Sequence, residues 1–311
     1  MANDEYPLGH LYPKPSFFAR HSSFVIRHLS LIIRHSSLVI LLGPASLCLA
    51  QERPLKTDDA GLVPLGRVRA EFGIEFLQGQ RYSLSGLEGD LTRLGVTSLH
   101  IGVGELAEFQ ISGVIQDFLS VSRRTPAVIP PNFAGNATSD VGDFALATKL
   151  RLMTEKERRP ALAFKFAVQL PNASNESGLG TDETNFYASL LLDKRLGHSR
   201  ILFNIGLAIL GSPVTPNSQS DLMTYGLAMM VPIHKRVELV GEIHGRQGTE
   251  RLGNENQSQV RLGARILAGG LRWDLAAIAG LRRFDADSGL AVGVTYEFQA
   301  FRRQRPVKTV K

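Results

Sequence analysis

Several residues in this chain have types and spacings that could do chemistry. His244 stands between Glu242 and Arg246 at alternate positions, the spacing that puts all three on one face of a strand. A histidine so placed could act as a general base, given a serine nucleophile and an orienting partner on neighbouring strands. Ser258 is near in sequence, but its parity puts it on the opposite, apolar face. A histidine lining a polar interior is the plainer reading. His198 and His234 fall in short turns, and His100 has no metal-ligand spacing to another His or Cys. Phe284-Asp-Ala-Asp-Ser-Gly289 opens like a calcium loop but lacks the closing glutamate. Gly178-Leu-Gly180 is followed by no Gly-Lys-Ser/Thr and is not a phosphate loop. The Asn-x-Ser/Thr sites at Asn136, Asn172, Asn175 and Asn256 all fall between strands. These residues predict no enzyme, no cofactor and no metal.

The elements that carry them are strands. In 161–170, Leu162, Phe164, Phe166, Val168 and Leu170 alternate with Ala161, Ala163, Lys165, Ala167 and Gln169. That period of two suits a strand with one apolar face and one small or polar face. The same alternation predicts twelve strands, at about 66–77, 91–103, 107–118, 143–152, 161–170, 184–196, 199–210, 221–231, 236–247, 257–268, 272–282 and 289–298. The loops after odd strands are mostly long, and those after even strands mostly short. Outer-membrane barrels sort their connections in this way and have an even strand number. The fold class is therefore all-β, a transmembrane antiparallel up-and-down barrel of about twelve strands with an apolar exterior. No helical periodicity runs beyond a turn or two, so any membrane span must be made of strands.

The inward face collects Arg69, Glu71, Glu75, Lys149, Arg151, Lys165, Arg200, Glu238, Glu242, His244, Arg261 and Arg265. These residues are the candidate lumen lining and solute pathway. Mixed charge of this kind fits either a narrow polar pathway or a salt-bridged filling, because twelve strands lie between filled and open barrels. The loop near Leu252 sets a register for the ninth and tenth strands. If Arg246 faces Gln257, then Glu242 faces Arg261 and Glu238 faces Arg265, and both pairs join opposite charges on the polar face. Swapping Glu242 and Arg261 should then restore what either single change loses.

Lys165-Phe-Ala-Val-Gln-Leu-Pro171, the loop Gly178-Leu-Gly-Thr-Asp182 and the small, apolar strand after it resemble a known outer-membrane family. That family is the putative phenol meta-pathway transport proteins. Ala107-Glu-Phe-Gln-Ile-Ser112 resembles an earlier strand of it. The resemblance covers about 60–300 and implies a channel or transporter for hydrophobic or aromatic solutes.

Three near-copies of a heptad, beginning at Arg20, Arg27 and Arg34, precede an apolar run and Ser46-Leu-Cys-Leu-Ala50. They read as an N-terminal extension plus signal peptide, 1–50, with cleavage near Ala50. The apolar run is too short for a spanning helix. A periplasmic lead-in, 51–65, the barrel, 66–298, and a basic periplasmic tail, 299–311, follow. The one cysteine, Cys48, lies in the leader. The formal charge is +6, yet residues 51–301 hold 26 Lys and Arg against 27 Asp and Glu. The excess sits at the ends, which argues against nucleic acid as a partner. The expected partners are outer-membrane lipid, a small solute and the barrel-assembly machinery. The expected location is the outer membrane of a Gram-negative-type bacterium. A non-conducting structural or surface-interaction barrel is the alternative, and a barrel-embedded hydrolase the third.

Overall fold

The computed structural model describes residues 53–249 and 251–301. The leader with its heptads and Cys48, and most of the basic tail, lie outside them. Strands β1 (Arg67–Arg81), β2 (Leu87–Gly102), β3 (Ala107–Arg124), β4 (Ala137–Asp140), β5 (Ala145–Met153), β6 (Ala161–Gln169) and β7 (Asn185–Leu196) make the first half. The second half is β8 (Ser199–Gly211), β9 (Gln219–His234), β10 (Val237–Gly248), β11 (Gln257–Ala268), β12 (Leu271–Gly280) and β13 (Ser288–Gln299). Consecutive wall strands pair antiparallel, and β1 closes on β13 from Arg67↔Gln299 to Gln78↔Ser288. Twelve strands form the closed wall. The thirteenth, β4, is a short return that pairs only with β3. Closure leaves no sheet edge facing lipid, which a membrane requires of strands.

Each of the twelve expected strands is present, though the boundaries differ. β1 and β2 run on to Arg81 and back to Leu87, so the connection between them shrinks to 82–86. Short turns and both barrel termini share one end, the periplasmic end by the convention of such barrels. The alternation of side chains also holds. Phe166, Ile205 and Leu207 are exposed on the outer face, while Ala163, Ala167 and Leu202 are buried inside. Trp273, Phe298 and Phe301 are exposed near the short-turn end, and Tyr296 stacks on Phe298 with centroids 5.6 Å apart. Aromatic side chains at that level fit a membrane interface.

The alternation breaks once, across β2 and β3. Gly95 takes a φ of 70° and the β1–β2 register shifts beside it. On β3 the buried positions run Glu108, Gln110 and Val114, then change phase to Asp117, Leu119 and Val121. A bulge inserts one residue and so reverses the facing of everything beyond it. This is why Arg93, Asp117, Glu108 and His100 escaped the list of inward residues read from sequence.

The strand phase makes a direct prediction. Phe166→Arg should cost about 2–4 kcal/mol near the bilayer midplane, while Ala167→Arg, which enters a polar cavity, should cost much less. Urea unfolding of the barrel refolded in lipid vesicles measures both. Equal losses would put the β6 phase in error.

Candidate functional site

The candidate site is the lumen, and its centre is a piece of chain that the sequence reading placed elsewhere. Residues 51–65 read as a periplasmic lead-in. Residues 53–63 instead lie inside the barrel as a strap across the lumen, with Leu55, Thr57, Asp59, Ala60, Leu62 and Val63 all buried. The wall explains the placement. It carries buried charges that cannot all satisfy one another, and an isolated ion in a dry interior is costly. The strap brings N–H groups, carbonyls and carboxylates to them.

Glu242 holds its middle. The carboxylate accepts the N–H of Lys56 at Oε1 and the N–H of Thr57 at Oε2, each at 2.8 Å. Asn204, with its amide turned to donate, grips the next residue on both sides: it accepts from Asp58 N at 2.7 Å and donates to Asp58 O at 2.9 Å. The Asp58 carboxylate meets Lys165 at 2.7 Å. Asp59 lies between Lys149, at 3.6 Å, and Arg200, at 3.7 Å. At the leading end Arg265 donates to the Arg53 carbonyl at 2.8 Å, and Arg53 reaches Asp274 at 3.4 Å. The Arg53 guanidinium lies over Gly73 and Gly293, register partners on β1 and β13 where any Cβ would collide with it. At the trailing end Val63 donates its N–H to Glu108.

Apolar contacts complete the fit. Leu55 packs with Leu202, Ala228, Met230 and Val240. Ala60 packs with Ala163 and Leu191.

The expected register of β10 and β11 is present, with Glu242↔Arg261, Glu238↔Arg265 and Arg246↔Gln257. The chemistry of the ladder is different. Arg265 meets Glu238 at 3.1 Å, but Arg261 bonds Glu75 across the lumen at 2.7 Å and stands 3.8 Å from Glu242. Glu242 is committed to the strap. Arg69 and Arg67 share Glu297, Arg200 pairs with Asp193, and Arg151 donates to the Glu105 carbonyl at the periplasmic rim. Glu71 is buried and accepts from Ser98 at 3.4 Å.

His244 lines a cavity but has Gln259, not Ser258, as its β11 partner. Ser258 Oγ accepts instead from the Tyr225 hydroxyl at 2.8 Å. His244 and Ser258 are therefore not brought together, in keeping with the opposite parity of Ser258.

The strap divides the open space. One cavity of about 330 Å³ has Lys56, Tyr187, Asn204, Tyr225, His244 and Arg246 in its wall. A second, of about 290 Å³, is lined by Arg53, Glu75, Arg93, Ser98, Lys165 and Arg261. A wider mouth of about 810 Å³ opens beside Leu62, Pro64, Glu105 and Arg151. Toward the long loops the inward face turns apolar on one side. Leu77, Leu87, Leu91, Leu119, Val121 and Ile278 cluster there, with Leu179 packed against them. Gly178 brings Leu179 in: it has a φ of 78°, and a Cβ would strike Leu87 and Ser85. The Gly178-Leu-Gly180 loop is thus packed against the apolar cluster and fixed by Ser85 Oγ donating to the Gly178 carbonyl at 2.8 Å.

A closed twelve-strand wall, an apolar exterior and a charged interior define an outer-membrane β-barrel, and this chain is one. Comparison of folds agrees. The structure is similar to the COG4313 outer membrane channel from Pseudomonas putida F1, with a TM-score of 0.54 and 15% identity over 77% of this chain and 98% of that one. Weaker likenesses include the translocator domain of the autotransporter NalP from Neisseria meningitidis, with a TM-score of 0.45 and 11% identity over 90% and 97%. The NanC porin has the same TM-score with 8% identity over 74% and 98%. No protein-family model matches the chain, and no curated protein matches it.

The geometry revises the expected charge swap. Glu242→Arg combined with Arg261→Glu should not recover the stability lost by either change, because an arginine cannot accept the Lys56 and Thr57 N–H groups. In double-mutant cycles, Arg261 should couple to Glu75 more strongly than to Glu242. Equal couplings would mean that the cross-lumen bond is not the principal partner.

Proposed function

We propose that the protein is an outer-membrane channel or transporter-like barrel for small solutes, with the strap 53–63 as its constriction. The observation that carries this reading is the pair of polar-walled cavities flanking the strap, above a wide periplasmic mouth. A barrel wall alone would serve a structural role. Cavities of about 330 and 290 Å³ suit a molecule near the lower end of the small-ligand range. Tyr187 offers a ring face, while Lys56 and Arg246 offer donors. This combination supports a small hydrophobic or aromatic solute bearing a polar group, in line with the resemblance to the phenol meta-pathway transport proteins. In this reading residues 1–50 are an export leader and the barrel-assembly machinery inserts the mature chain.

Single-channel recording in a planar bilayer tests the reading. The full-length mature barrel should conduct in small steps. Glu242→Ala, which removes the two hydrogen bonds at the middle of the strap, should raise the conductance or its open fraction several-fold. Phenol or benzoate should reduce the current more than a polyol of equal size. A silent barrel that stays silent with Glu242→Ala would favour the structural reading, in which the strap is a permanent filling.

A further inference from the structure

We infer that Ser98, His100 and Glu108 form a nucleophile, base and orienting acid for acyl transfer inside the lumen. Ser98 and His100 sit two apart on β2, so both face inward. Glu108 lies on β3, where it stands beside Gly102, two pairs along from His100 opposite Gln110 and so on the same face. The bonds run in sequence. Ser98 Oγ is 2.8 Å from His100 Nε2, and His100 Nδ1 is 2.9 Å from Glu108 Oε1. Both lie within the hydrogen-bond reach that marks an activated nucleophile.

The environment sets the direction of the protons. Glu108 also accepts from Gln110 Nε2 at 2.8 Å and from Val63 N, with Lys149 at 3.7 Å. It is an acceptor surrounded by donors, so it takes the Nδ1 proton of a neutral ring. The Ser98 hydroxyl then has two acceptors within reach, the Nε2 lone pair at 2.8 Å and Glu71 Oε2 at 3.4 Å, and the shorter contact, to Nε2, is the one a general base needs. His100 and Glu108 are buried to 1% and 0% exposure, whereas Ser98 is partly exposed and lines the cavity of about 290 Å³. The nucleophile alone is open to a substrate. Arg53, Lys56, Arg93, Lys165 and Arg261 in that cavity face three carboxylates, Asp58, Glu75 and Asp143. The cavity wall thus carries more cations than carboxylates, which favours an anionic ligand. The cavity volume and charge point to a small ester, preferably one with an acidic group.

The step balances without a cofactor. Ser98 Oγ bonds to the ester carbonyl carbon as its proton passes to His100 Nε2. The tetrahedral intermediate breaks its bond to the alcohol oxygen, and the alcohol leaves with that proton. Water then adds to the acyl-Ser98 carbonyl, giving a proton to His100. The bond to Ser98 Oγ breaks, Ser98 regains its proton, and the acid departs. The proposal stands apart from conduction, since a silent barrel could still carry it.

A structural role for the same network is to brace the strap at Val63, and labelling separates the two. The refolded full chain, shown folded by heat-modifiable migration, is treated with diisopropyl fluorophosphate and mapped by mass spectrometry. Ser98 should be the labelled residue, and His100→Gln should slow labelling by about 10²–10⁴-fold. Hydrolysis of p-nitrophenyl acetate should be lost with Ser98→Ala while the folded band remains. The same treatment of Glu242→Ala admits the probe past a closed strap. Absence of label at Ser98 in both backgrounds, or labelling unchanged by His100→Gln, overturns the proposal.

Discussion

The Glu242 carboxylate is the interaction on which the interior depends. It is buried, it belongs to the wall, and it spends both oxygens on backbone N–H groups of the strap. Hydrogen bonds from N–H groups to an ionised carboxylate are among the stronger ones available. Two on one carboxylate also fix the direction of the chain. From that point Asn204, Lys165 and Lys149 take Asp58 and Asp59 on one side. Arg261, Arg265 and Asp274 take Pro54 and Arg53 on the other. A twelve-strand lumen is too wide for wall side chains to meet everywhere and too narrow to hydrate every charge. The strap resolves that mismatch.

The interior is consequently two materials. Its periplasmic half is ionic, with charges that neutralise one another through the strap. One sector toward the long loops is apolar, where Leu77, Leu87, Leu119 and Ile278 meet Leu179 from the opposite side of the mouth. A polar cavity lies on the side of Tyr187, Asn204 and His244, and an apolar cluster on the other. The second cavity is walled by strap residues and by β2 and β3. The bulge at Gly95 matters there, because it turns Val96, Ser98 and His100 inward together.

Buried ion pairs in this arrangement specify position more than they add stability. Removing water from both partners offsets much of their attraction. What they do impose is exclusion. A strap shifted by one residue would leave Glu242, Lys149 and Arg265 facing the wrong groups, each at a cost of several kcal/mol. The apolar contacts of Leu55 and Ala60 give the favourable burial, and the charges determine which burial occurs.

The sequence by itself determined the wall. A pleated strand forces alternate side chains to opposite faces, so the phase of Phe164, Phe166, Ile205 and Leu207 was legible residue by residue. The loop after β10 carried enough information to place Glu242 opposite Arg261, because a slip would turn a whole face to lipid. Arg69, Glu71, Glu75, Lys149, Glu242, Arg261 and Arg265 are buried, as the same parity expects. Only the tertiary structure decided what those residues touch. Arg261 chose Glu75 across the lumen over its neighbour on β10, a distance set by barrel closure and not by spacing along the chain. The bulge in β2 and β3 reversed the parity that would have revealed His100 and Glu108. The strap has no periodic signature, since a segment whose bonds go to β3, β5, β6, β8, β10, β11 and β12 repeats nothing. Its mixed string Arg53-Pro-Leu-Lys-Thr-Asp-Asp59 reads locally as solvated chain. It becomes a lumen segment only when a closed wall surrounds it with charges that need partners.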